Sequence, residues 1–191
     1  ELAGTITDET TKLTLDADST LGNSVATKFG ALDLNGSALT ITMATTINDP
    51  LTFDEPGEQF LTGTSHLTLN DILILSSGKI SSQSGIVYFG STVSLGSEGI
   101  IDIQGGELQL SDNISVAGGT LILADSVDLN LKNDVSISSN RSLGFGTLEM
   151  NNRSLTVTTT EGADLTLKKA FNLNSGSTLQ MNGSDLFFTE T

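Results

Sequence analysis

The chain has 191 residues, 8 Lys and Arg against 23 Asp and Glu, and a net charge of −15, with no Cys, no Trp, one Tyr and one His. So little basic surface excludes nucleic acid and anionic membrane as partners, and the missing thiols exclude disulfides, thiolate metal sites and cysteine nucleophiles. No apolar run approaches the roughly 20 residues of a spanning helix, so no membrane insertion is expected.

The chain starts at Glu1 rather than Met, which we read as processing or trimming. The first residues, Glu1 to Thr7, have a strand-like texture, with Leu2 and Ile6 as their apolar positions. Alternating segments follow: Leu13-Thr14-Leu15, Leu32-Asp33-Leu34 and Leu39-Thr40-Ile41. Residues 44–62 break the pattern. They hold both prolines, Pro50 and Pro56, and the acids Asp49, Asp54, Glu55 and Glu58. Because proline is excluded from central ladders, this segment is expected to be an insertion loop that projects from the fold.

Alternation resumes at Leu67-Thr68-Leu69, Val93-Ser94-Leu95, Leu108-Gln109-Leu110 and Ile114-Ser115-Val116. It continues through Leu121-Ile122-Leu123, Val135-Ser136-Ile137, Leu155-Thr156-Val157 and Leu165-Thr166-Leu167 to the closing Leu186-Phe187-Phe188. Period two places alternate side chains on opposite faces, the mark of a strand. No stretch carries a 3.6-residue period, so no helix is expected. Turn residues recur roughly every five to eight positions, more often than the 8–12 of a β-sandwich. Many short strands with small polar corners specify an all-β solenoid in a single domain over 1–191.

A unit of apolar-x-apolar, polar corner, apolar-x-apolar recurs at Leu32 to Ile41, Leu148 to Val157 and Leu179 to Phe188. Shorter versions occupy Leu67 to Leu75, Leu108 to Val116, Leu121 to Leu129 and Leu165 to Leu173. Asn and Gly at the corners tolerate positive φ, and asparagines on successive coils are placed to hydrogen-bond as ladders. The spacing between copies is uneven, which points to irregular coils. The three long copies resemble the LDLNGxxLTI repeats of autotransporter passenger domains and related secreted bacterial adhesins. That resemblance implies a right-handed parallel β-helix on the surface of a prokaryotic cell or outside it. With roughly 20–24 residues per coil, the chain makes about eight coils, a rod of about 40 Å at the usual strand spacing.

Glycoside cleavage, calcium binding and self-assembly are the chemistries that bear on function. A glycosidase needs two carboxylates across a cleft; Asp16 and Asp18 offer a pair, but aromatic platforms and basic residues are scarce, so no enzyme and no catalytic residue is expected. A calcium site is the one metal candidate, on Asp49, Asp54, Glu55 and Glu58; no other cofactor is expected. The last chemistry is assembly. A solenoid exposes an unpaired edge and an apolar cross-section at each end, and no capping helix is foreseen. Leu2 and Ile6 at one end, and Leu186, Phe187 and Phe188 at the other, are the expected interface, with 1–7 as a strand-exchange segment. The first reading is therefore a secreted structural subunit that joins itself head to tail into an extracellular filament or sheath. The alternative is a monomeric adhesin or passenger fragment that binds a host or matrix surface. A carbohydrate-active β-helix enzyme is third.

Overall fold

A computed structural model of the chain describes residues 10–22, 26–160, 163–169, 171, 173–183 and 185–189. They wind as a parallel β-solenoid with three strands to the coil. The first coil holds β1 (Lys12–Thr14), β2 (Ser19–Leu21) and β3 (Thr27–Phe29), and the second holds β4 (Ala31–Asp33), β5 (Ala38–Ile41) and β6 (Thr45–Ile47). The third has β7 (Leu51–Phe53), β8 (Gln59–Gly63) and β9 (Leu67–Leu69); the fourth has β10 (Leu73–Leu75), β11 (Lys79–Ser82) and β12 (Ile86–Phe89). Next come β13 (Val93–Leu95), β14 (Ile100–Ile103) and β15 (Glu107–Leu110), then β16 (Ile114–Val116), β17 (Thr120–Leu123) and β18 (Asp128–Leu131). The seventh coil carries β19 (Val135–Ser139), β20 (Leu143–Phe145) and β21 (Leu148–Glu149). Above it lie β22 (Ser154–Thr159) and β23 (Leu165–Leu167), then β24 (Thr178–Asn182) and β25 (Leu186–Phe188). The described residues contain no helix, and their paired strands all run parallel.

Three faces result. Face I stacks β1 on β4, then β7 through β24 in one seven-stranded sheet. Face II runs from β2 to β17 and resumes as β20-β23-β25; face III runs unbroken from β3 to β21. Face II breaks between β17 and β20, which lie side by side without forming a ladder. Ile122, an outward residue of β17 in register with Asp102, is exposed beside the break.

The alternation is realised as drawn from the sequence. Inward residues align from coil to coil. On face III the column Phe29, Ile47, Leu69, Phe89, Leu110, Leu131 is in register and buried throughout. Each such side chain contributes about 1.5–3 kcal/mol by leaving water. The corners follow the expected chemistry too. Asn35, Asn151 and Asn152 are the described non-glycine residues with positive φ, and Gly36 and Gly183 share that region. A Ser37 N–H to Leu34 O bond of 2.9 Å closes the first of these corners, and Arg153 N–H to Met150 O at 2.8 Å closes the second. Asparagine pairs bridge coils: Asn70 Nδ2 donates to Asn48 Oδ1 at 2.7 Å, and Asn151 Nδ2 to Asn130 Oδ1 at 2.8 Å.

One expectation needs correction. Residues 44–62 are not an insertion: they supply β6, β7 and most of β8, and Leu51, Phe53 and Phe60 sit in the core. Pro50 and Pro56 stand at the corners before β7 and after it, where no ladder N–H is required. The coils are irregular as expected, within narrower bounds than the motif spacing. Register partners lie 18 residues apart at Phe29↔Ile47 and 24 apart at Leu155↔Leu179, the two ends of the range. The motif marks a corner, and each coil has three. Leu32 to Ile41 turns from face I to II, Leu148 to Val157 from III to I, and Leu121 to Leu129 from II to III.

Candidate functional site

The four acidic candidates do not converge. Asp49 lies at the corner before β7; Asp54, Glu55 and Glu58 lie at the corner after it. Glu58 is only 2% exposed, and its Oε2 accepts the backbone N–H groups of Asp54 (2.8 Å) and Glu55 (3.0 Å). Its carboxylate thus closes its own corner. Among the described residues no group of three or more His, Cys, Asp or Glu is placed to hold a metal ion. Of the carboxylates Asp16 and Asp18, the second is engaged: Asp18 Oδ1 accepts the Ala38 N–H at 2.8 Å, one coil above.

The assembly candidates divide. Leu2 and Ile6 lie outside the described residues. Leu186 and Phe188 sit over Leu165 and Leu167 and continue the inward columns, while Phe187 sits over Thr166 and faces outward from face II. The last coil is open. Leu165 and Leu167 are buried, yet Leu186 is half-buried and Phe188 is 58% exposed; on face I, Leu155 and Val157 are buried while Leu179 and Met181 above them are half-buried. Phe188 stacks on Phe171 with ring centroids 6.3 Å apart, and Leu173 is 52% exposed. At the other end Leu21 on β2 and Phe29 on β3, both edge strands, are buried, while Leu13 on β1 is half-buried.

On the sides of the rod, Lys79 Nζ pairs with Asp102 Oδ2 at 2.6 Å across β11 and β14. Near the break in face II, Asp128 Oδ1 accepts the Thr147 N–H (3.0 Å) and Lys169 Nζ (3.2 Å). Burial acts to raise the Asp128 carboxyl, but the hydrogen bonds from Thr147 and Lys169 outweigh it and hold it below the ordinary carboxylate value.

Face III carries a feature that sequence reasoning missed. The single tyrosine and the single histidine of the chain meet in one shallow cleft of about 370 Å³, lined by His66, Thr68, Ile86, Tyr88 and Gln109. These residues come from three successive coils, on or beside β9, β12 and β15. His66 and Tyr88 stand 22 positions apart, so only knowledge of the coil length joins them.

No family model, curated protein or solved structure matches the chain. The fold stands on its own register: an all-parallel β-solenoid of about eight turns.

Proposed function

We propose that this chain is a structural β-solenoid subunit, secreted from a prokaryotic cell, that stacks head to tail into an extracellular filament. The observation that carries the reading is the unlike pair of ends. The final coil presents Leu179, Met181, Leu186 and Phe188 at an unpaired edge, with Leu173 exposed just before it, whereas Leu21 and Phe29 of the first coil are buried and Leu13 is half-buried. A contact between unlike ends is heterologous, and when its rotation does not close it propagates as a fibre. A parallel strand laid over β24 and β25 would satisfy their free backbone groups and cover about five apolar side chains. The N-terminal segment 1–7 is the proposed donor. The thiol-free, acidic composition supports work outside the cell and keeps the sides of neighbouring rods apart.

The test is negative-stain microscopy with light scattering on the full chain over a range of concentrations. Polymers whose length grows with concentration are expected, and Met181→Lys with Leu186→Asp should leave single rods with an unchanged circular dichroism spectrum. Discrete rods of about 40 Å at every concentration would overturn the reading.

A further inference from the structure

We infer that the Tyr88 cleft on face III is a carbohydrate-binding site for a neutral oligosaccharide lying along the rod. The inference does not depend on how the ends behave.

A sugar ring has an apolar C–H face and a rim of hydroxyls. The cleft offers the complement of both. The half-buried ring of Tyr88, with Ile86 beside it, supplies a flat apolar platform. The rim is polar and its members are already aimed. The Tyr88 hydroxyl is tied to Ser111 Oγ at 2.9 Å. His66 Nδ1 accepts the Ile86 N–H at 2.8 Å, which leaves Nε2–H as its donor to a ligand. Gln109 Nε2 donates to Glu107 Oε1 at 3.0 Å, which leaves its carbonyl oxygen as an acceptor. Groups fixed before binding lose little freedom on binding.

The register extends the platform into a track. Thr46, Thr68, Tyr88, Gln109, Asn130 and Glu149 are direct partners on successive strands of one sheet. They repeat at about 4.8 Å, a spacing comparable with one sugar residue, so an oligomer parallel to the rod meets a fresh polar side chain at each coil. Lys28 partners Thr46 at one end of the column, but the net charge of −15, with Glu107 bordering the cleft and Glu149 at the other end, disfavours a polyanion and selects a neutral chain.

The chain has no tryptophan and one tyrosine, so tyrosine emission reports this cleft alone. The full chain is titrated with cellohexaose, laminarihexaose, chitohexaose and maltohexaose, and with polygalacturonate as the acidic control. A saturable change in emission with at least one neutral hexasaccharide is expected, and none with polygalacturonate. By calorimetry, Tyr88→Ala should weaken that binding at least about tenfold, and Gln109→Ala about fivefold, with melting temperatures within a few degrees of the parent. Silence with all four neutral probes overturns the proposal. So does binding of polygalacturonate alone, or binding that survives both substitutions.

Discussion

Asp18, just before β2, accepts through Oδ1 the backbone N–H of Ala38, the first residue of β5 directly above it, at 2.8 Å. The same stitch recurs on all three faces. Asn113 takes the N–H of Ser136 (2.7 Å), Asp134 that of Ser154 (2.8 Å), Asp128 that of Thr147 (3.0 Å), His66 that of Ile86 (2.8 Å) and Ser142 that of Asp164 (3.0 Å). In each case a polar acceptor at or beside a strand entry holds the entry one coil later. Corners interrupt the ladder, and the stitch satisfies an N–H that the sheet alone would leave to water. Part of the acidic excess therefore has a structural cause.

Removing one stitch is expected to weaken the stack modestly. Asp134→Ala should lower stability by about 1 kcal/mol, and Asp134→Asn, which keeps the acceptor oxygen, by less than half of that. Urea unfolding of the three proteins measures both.

A second test concerns close coil stacking. Gly106 has φ +82, and a Cβ there would overlap the carbonyl oxygen of Gly85 in the coil beneath. Gly63, with φ +56, has open space around its would-be Cβ. Gly63→Ala should cost only the left-handed backbone term of about 1–2 kcal/mol. Gly106→Ala should cost clearly more, because two backbones must separate. Equal midpoints in urea for the two variants would refute the stacking argument.

The 44–62 segment provides a third. Phe60 on β8 is fully buried and in register between Leu39 and Ile80. Phe60→Ala is expected to lose about 3–5 kcal/mol, read as a lower thermal midpoint. A projecting loop would tolerate the change with no shift.

Asp128 sets a pH dependence. Its carboxyl lies below the ordinary value in the folded chain, so its stabilising contribution is present above the unfolded value and is lost as pH falls through the folded one. The stability difference between the parent and Asp128→Asn should therefore shrink on acidification from pH 6 to pH 3. The group is partly exposed, so the difference should also shrink in high salt.

Much of the fold is legible in the sequence because its rules are local. Period-two alternation and the Asn35-Gly36 and Asn151-Asn152 corners report themselves within four or five residues. The coil length is not local. The same corner unit serves all three corners, so its copies fall at uneven intervals and conceal a repeat of 18 to 24 residues. Pro50 and Pro56 mislead for a related reason: proline is foreign to ladders, but a rod with three corners per coil offers many places outside them. The track through Thr68, Tyr88 and Gln109 is invisible without that period, since its members are about 20 positions apart. Phe187 and Phe188 are adjacent in sequence and look alike, and only their register on Thr166 and Leu167 separates an outward ring from an inward one.

The buried Leu21 and Phe29 of the first coil and the exposed Phe188 of the last also give the rod a direction in time. Every coil rests on the one about 20 residues before it, so the chain length closed at each step stays constant however long the rod becomes. Amide exchange should accordingly be slow in β12 to β15 and fast in β24 and β25, where strands are held from one side only. Such a chain can lock like a zipper, each finished coil serving as the template for the next.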